Sequence, residues 1–479
     1  MSSRQESVPV RHVVIVGAGF SGTLAALKLL TSDPTLHIHL VDSSEHVGRG
    51  LAYGACAPQH LLNVPVNRLE VGLTPGFGQW LSGRCDVLEE NFGSLADAFL
   101  PRALFGDYME ERLQEALAAA PARLTVIRSE VVSLLELPRR GVLLRDGREI
   151  PVDVIVLATG NLPPRAPLPP QSPVRDDRAY VPDPWAPRAL DGIDPDRLVV
   201  LVGTGLTMVD TVMRLRGEGH RGQIHAVSRR GLTPLDHRSG GAWPPFVDLS
   251  VARSPLAIMR QIRSAATMAA AQDVPWQRVI DAVRPMTSRI WTEWSKNERR
   301  RFLRHLRPYW DAHRHRLAPR VARRLHEALS SGSLTIWSGG IVDCRPRDGG
   351  LDVDVRPHGS STPSTLEASR MINCTGPRTD YASIGMPLFA DLRRRGLVQP
   401  DELALGIETD GCAACGRDGH PSSWLFAVGP LTRPAWWEIT AVPEIAAQID
   451  HFVSALTSTA LDADRASLAA TFIDLGAGI

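Results

Sequence analysis

Two glycine-rich turns, about 185 residues apart, constrain this chain more than any other feature. The first lies in HVVIVGAGFSG, where an apolar run (Val13 to Val16) meets Gly17, Gly19 and Gly22. A short apolar run of this kind reads as a parallel strand buried on both faces. Gly17 suits a tight turn, Gly19 a close approach of backbone to a pyrophosphate, and Gly22 close packing of the next helix on the strand. That helix, expected over about Thr23 to Leu30, would aim its N-terminal N–H groups at the phosphates. Twenty residues beyond Gly22 stands Asp42, in IHLVDSS, placed to accept from ribose hydroxyls. A glycine turn alone is weak evidence. Strand, turn, helix, strand and acid in this order are much stronger.

The second turn lies in LVVLVGTGLTMVD, with Gly203 and Gly205, and Met208 where a third glycine would stand. Met208 implies a looser contact of helix with strand. A helix is expected over about Thr207 to Arg216, then a strand over Gln223 to Val227. At the end of that strand Ser228, Arg229 and Arg230 offer a hydroxyl and two guanidinium forks, which match a 2′-phosphate. An acid at one strand end and a Ser-Arg-Arg at the other point to two nucleotides, FAD and NADPH (NADH being the other option).

Further marks agree with this. Val154 to Leu157 is an apolar strand ending in Ala158-Thr159-Gly160, and a second strand-like run ends in Asn373-Cys374-Thr375-Gly376-Pro377. Both are expected where the chain crosses between a flavin and a nicotinamide domain. Trp424 to Val428 is expected to be a strand ending at Gly429-Pro430, followed by a helix from about Val442 to Leu456. The N-terminus of that helix would face the flavin pyrimidine, where negative charge develops on reduction.

The fold class expected is therefore α/β, with two Rossmann-like dinucleotide-binding domains and a helical insert. The expected boundaries are 1–194 for the first part of the FAD domain, 195–338 for the NAD(P)H domain with its insert, and 339–479 for the C-terminal part of the FAD domain. Residues 123–157 alternate apolar and polar, as hairpin strands do. Residues 161–173 form a proline-rich connector.

The 479 residues suffice for two or three domains, and a net charge of +1 gives no reason to expect nucleic acid or an anionic membrane. No run nears the ~20 apolar residues of a membrane span. The N-terminus leads straight into the first strand, and six cysteines suit a reducing cytoplasm rather than a disulfide scaffold. Cys412 and Cys415 lack the further ligands of a zinc site and read as a loop or hairpin tip, so no metal is expected.

With these residues placed, the chain resembles the FAD/NAD(P)-binding proteins whose nucleotide domain is shared by bacterial flavin-dependent urate hydroxylases and nitrosuccinate-forming aspartate N-monooxygenases. The stretches that carry the resemblance are GRGLAYG (Gly48 to Gly54), HLLNVP (His60 to Pro65), DPW (Asp183 to Trp185), GTGLTMVD, SRRGLTP, WDAHRHR (Trp310 to Arg316), NCTGP and WEITAVPEI (Trp437 to Ile445). They span nearly the whole chain.

The resemblance implies an FAD-dependent, NAD(P)H-using monooxygenase of a small nitrogen-containing metabolite such as urate, with O2 as co-substrate. The cofactor would carry the hard chemistry and the protein would orient substrate and exclude water. Candidates for catalytic work are His237, His315 and Glu438, and also His60 and Asn63; Asn63 is expected rather to hold the flavin. Trp436 and Trp437 would either stack on a planar ring or pack. Two alternatives stay open: a reductase or oxidase passing electrons to another acceptor, and a redox sensor binding both nucleotides without turnover.

Overall fold

The computed structural model describes residues 11–84, 94–136 and 139–457. The N-terminal ten residues, and with them the reading of the N-terminus, lie outside this range. In chain order the strands are β1 (Arg11–Val16), β2 (Leu36–Asp42), β3 (Leu124–Arg128), β4 (Val131–Leu135), β5 (Gly141–Leu144), β6 (Glu149–Pro151), β7 (Val154–Leu157), β8 (Tyr180–Val181), β9 (Val199–Val202), β10 (Ile224–Ser228), β11 (Leu334–Arg347), β12 (Gly350–Pro357), β13 (Ser364–Ala368), β14 (Arg370–Asn373), β15 (Thr409–Asp410), β16 (Ala413–Cys415) and β17 (Pro421–Ala427). The helices are α1 (Phe20–Ser32), α2 (Gly50–Gly54), α3 (Phe77–Ser82), α4 (Arg102–Ala119), α5 (Leu206–Gly217), α6 (Pro255–Ala270), α7 (Trp276–Val283), α8 (Thr287–Glu293), α9 (Lys296–Arg301), α10 (Arg307–Arg314), α11 (Pro319–Ser330), α12 (Pro387–Arg395) and α13 (Val442–Thr457).

Each glycine turn sits at the end of a central strand of its own sheet. The first sheet has the order β15-β16-β17-β7-β1-β2-β3, and the second β13-β12-β11-β10-β9-β14-β8. Val13, Val14 and Ile15 of β1 are fully buried, as are Val199, Val200 and Leu201 of β9, because helices or other strands cover both faces. In both sheets the turn-bearing strand pairs in parallel with the strand after it and with one from much later in the chain: β1 with β2 and β7, β9 with β10 and β14. Helix α1 is buried on nearly every face and packs against α13.

The second sheet takes strands from outside the expected 195–338 span. Past Ser338, β11 continues to Arg347 and pairs antiparallel with β12, while β14 lies between β9 and β8. Residues 339–373 and the short strand β8 therefore belong to the second sheet. The physical reason is that β9 is central and needs a partner on each edge, which β10 and β14 supply. The alternation over 123–157 also divides differently. Only β4, β5 and β6 form an antiparallel sheet, whereas β3 and β7 are parallel strands of the first sheet.

The chain crosses between units directly after β7 and directly after β14. The two crossing segments lie antiparallel, with Arg378 N–H donating to the Leu162 carbonyl at 3.3 Å. A buried ion pair adds a second tie. Arg102, at the start of α4, donates Nη1 and Nη2 to the two carboxylate oxygens of Asp210 in α5, at 3.0 and 3.2 Å. Beside it His60 donates Nε2–H to the Asp210 carbonyl at 3.0 Å while its Nδ1 accepts from Ala57 N–H. The helical insert between β10 and β11 supplies α6 to α10, and α11 then packs its buried Val321, Ala322 and Leu325 on the second unit's core.

Gly22 tests the packing of the first turn. A Cβ there would lie 1.8 Å from the Gly17 carbonyl oxygen, which no rotamer relieves. Gly22→Ala is expected to lower stability by about 3 kcal/mol, read as a fall in the urea midpoint at unchanged slope. An unchanged midpoint would show that α1 moves aside freely.

Candidate functional site

A cavity of about 1110 Å³ opens between the two units. It is larger than the ~300–1,000 Å³ usual for a small-molecule site, and one end lies at the first glycine turn. Gly17 takes φ +107°, and a Cβ there would meet the Ala158 carbonyl oxygen at 2.4 Å, so turn and crossing segment are pressed together. Gly17 and Gly19 both line the cavity, whereas Gly22 stays behind them as packing. Asp42 lines it too, its carboxylate accepting from Ala18 N–H at 2.6 Å and Ser44 N–H at 2.8 Å. The acid is thereby fixed at the turn, each oxygen keeping a further acceptor position.

Beyond this end the wall is made by Asn63, Thr159, Gly160, Gly376 and the start of α13 (Val442 and Ile445). Asn63 is held from the other unit, because His237 donates Nε2–H to its carbonyl at 2.9 Å. Burial, with Arg316 adding to it, lowers His237 to about 4, so the ring is neutral near pH 7. His237 lines the cavity but spends its N–H on positioning.

The helical insert forms a basic wall. Arg278, Arg284, Arg314 and Arg316 all line the cavity. Arg284 Nε pairs with Glu444 in the first turn of α13 at 2.6 Å, Arg314 Nη2 reaches the same carboxylate at 3.1 Å, and Arg316 pairs with Asp281. Arg278 Nε, Arg284 Nη2 and Arg316 Nε are buried without an acceptor in the protein. Such orphaned charged donors are costly unless a ligand meets them. His315 stands in this wall as well. Burial lowers its pKa, against the pull of Glu438 and Asp311.

Glu438 does not face the cavity. It is buried behind the wall, accepting from Trp310 Nε1 at 2.8 Å and pairing with Arg314 Nε at 3.3 Å. Burial raises its carboxyl, but His315, Arg314 and Trp310 outweigh this and hold it below the usual range, as the counter-ion of Arg314. Trp436 and Trp437 also pack: Trp436 donates to the Gly411 carbonyl, and Trp437 stacks on Trp291 with ring centroids 4.4 Å apart.

The second turn stands just outside the cavity, although Leu206, Thr207 and Asp210 of α5 line it. Gly203 takes φ +112° against the Cys374 carbonyl, and Gly205 has open space around it. The Ser228 hydroxyl bonds Thr204 Oγ1 at 2.8 Å and accepts from Gly231 N–H. Arg229 is exposed at the strand end, while Arg230 lies over the Tyr309 ring and donates to the Arg304 carbonyl. Gly429 is a packing residue too: a Cβ there would meet Ser21 Oγ at 2.6 Å, and its N–H donates to the buried Gln448. Cys412 precedes the short hairpin strand β16 and Cys415 ends it, and burial pushes their thiols up to about 12 and about 11.

Residues 14–162 match the family described as FAD-NAD(P)-binding. The match takes in less than half of the chain. It covers the first turn, Asp42, Asn63 and the first crossing segment. An L-aspartate N-monooxygenase (nitrosuccinate-forming) from Streptomyces cremeus is 30% identical over 293 residues, 46% of this chain and 42% of that protein. An uncharacterized protein of Escherichia coli (strain K12), YdhS, is 26% identical over 216 residues, 43% of this chain and 39% of that protein. The chain thus spans about two-fifths of the length of these curated relatives. The solved structure of an ornithine N-hydroxylase from Kutzneria sp. 744, holding reduced FAD, NADP+ and L-ornithine, superposes with TM-score 0.62 at 17% identity, covering 94% of this chain and 100% of that one. The likeness shows a shared fold.

His237 gives this site a pH signature. Its folded value of about 4 lies below the ordinary 6.5. The neutral ring therefore contributes stability that is complete above pH 6.5 and is lost as pH falls toward 4. His237→Gln keeps an N–H donor for Asn63 and does not titrate. Between pH 7 and pH 4 the wild type is expected to lose up to about 3 kcal/mol more than this variant, measured by urea unfolding. Parallel losses would place the titration elsewhere.

Proposed function

We propose that this chain is an FAD- and NADPH-dependent monooxygenase that oxidises the amine nitrogen of a small amino acid. The observation that carries it is the cavity between the units, which joins the first glycine turn, the start of α5 and a basic wall with orphaned donors. FAD fits the first turn, where Gly19 and Asp42 border the cavity and a side chain at Gly17 would strike Ala158. Asn63, Thr159, Gly160 and Gly376 would hold the rest of it. NADPH fits the second turn, with its 2′-phosphate toward Arg229 and its nicotinamide end entering past α5. When bound, reduced FAD supplies activation of O2.

The residues of this chain bind, orient and deprotonate. Arg284 and Arg316 have donors to spare for a substrate carboxylate, in the paired geometry guanidinium gives. An ammonium group has no lone pair with which to accept oxygen, so the substrate must first lose a proton. His315, neutral through burial, is the base in this wall, and Asp311 at 3.9 Å steadies its charged form. An amino-acid amine replaces urate as the substrate, because the named relatives act on aspartate and ornithine.

The test is NADPH oxidation and hydroxylamine formation by the FAD-loaded protein with a panel of amino acids, diamines and urate. One amino acid is expected to give N-oxidised product. His315→Asn is expected to lower kcat about 100-fold, within the range for loss of a general base, with KM little changed and the acid limb of the pH profile moved. Turnover of urate alone, or NADPH oxidation indifferent to every amine, would overturn the proposal.

A further inference from the structure

A second cavity, about 480 Å³, lies within the helical insert, apart from the one between the units. Its walls come from α6, α7, α8, α10 and a single π-turn at Phe302–Leu306, with Trp437 beside them. Ile258, Ile280, Trp291, Trp294, Phe302 and Trp310 give it an almost wholly apolar surface. π-turns are rare and recur at functional sites.

The walls cannot simply collapse inward. Trp291 is stacked on Trp437 and donates Nε1–H to the Pro434 carbonyl at 2.8 Å. Trp310 is fixed by its bond to Glu438. Phe302 stands edge-on to Trp437, with centroids 5.4 Å apart. Space held open by fixed rings forfeits contacts on every side, and apolar cavities as small as ~150 Å³ take up benzene.

The charge at this cavity is one-sided. Arg263 of α6 lines it and is exposed, and among the described residues no carboxylate pairs with it. The other titratable lining groups are His313, whose Nδ1 is committed to the Tyr309 carbonyl at 2.8 Å, and Tyr309 itself, whose ring lies under Arg230. We infer that this cavity is a binding site for a planar aromatic carboxylate, its ring between the indoles and its carboxylate on Arg263. Flat rings suit offset or edge-on contact with fixed aromatic walls, and the guanidinium selects an anionic head.

The test is titration of the purified protein with 1-naphthoate and with its neutral analogue 1-naphthalenemethanol, followed by calorimetry. Saturable binding with one site is expected. Ile258→Trp fills the cavity and is expected to weaken both probes at least tenfold. Arg263→Gln changes only an exposed side chain and is expected to weaken 1-naphthoate roughly fivefold while leaving the alcohol unchanged, so the inference remains testable if Ile258→Trp fails to fold. No saturable binding to the wild type would overturn it, as would undiminished 1-naphthoate binding in Arg263→Gln or in folded Ile258→Trp.

Discussion

The close approach of each glycine turn to a neighbouring carbonyl is the constraint on which this structure depends. Gly17 lies against Ala158 and Gly203 against Cys374, at distances that leave no room for a Cβ. In each case the carbonyl belongs to the segment where the chain leaves one unit for the other. The turn that would receive a phosphate and the segment that joins the units are therefore set against each other twice. Pairing of the two crossing segments through Leu162 and Arg378 makes them one connection, and the large cavity opens beside it.

Three further contacts decide how the units face one another. Arg102 and Asp210 form a bidentate pair with side chains only 11% and 13% exposed, and His60 fixes the backbone next to it. Across the cavity His237 grips Asn63. A pair of this kind is costly to break from one side, so it defines a preferred approach of α5 to the first unit. The basic wall is likewise built from both units: Arg284 and Arg314 come from the insert, Glu444 and Glu438 from the chain around α13. Glu444 in the first turn of α13 suits the positive end of that helix as well as its arginines.

Both glycine turns, their strands and their following helices were legible in the sequence, because a short apolar run followed by glycines at fixed offsets has few other solutions. The β7 strand was legible to the residue. The limits of the second unit were not, since β12 to β14 alternate like any antiparallel strands and nothing local says which sheet they join. The candidate site was legible in part. Asn63, Thr159, Gly160 and Gly376 line the cavity. Glu438 and Gly429 do not, because a carboxylate or glycine near a helix start looks the same whether it faces a cavity or a partner side chain. The partnership of Arg102 with Asp210 could not be read from a separation of 108 residues, although Asp210 closes the GTGLTMVD stretch.

On the proposed function, two nucleotides would meet in one cavity from two turns. The most direct measurement is a crystal structure of the protein with FAD and NADP+ both bound. The expected result is the FAD diphosphate at Gly17 to Gly19, the NADP+ diphosphate at Gly203 to Gly205, and both rings inside the cavity before the arginine wall. Either nucleotide on the other turn, or a second turn left empty at saturating NADP+, would contradict it.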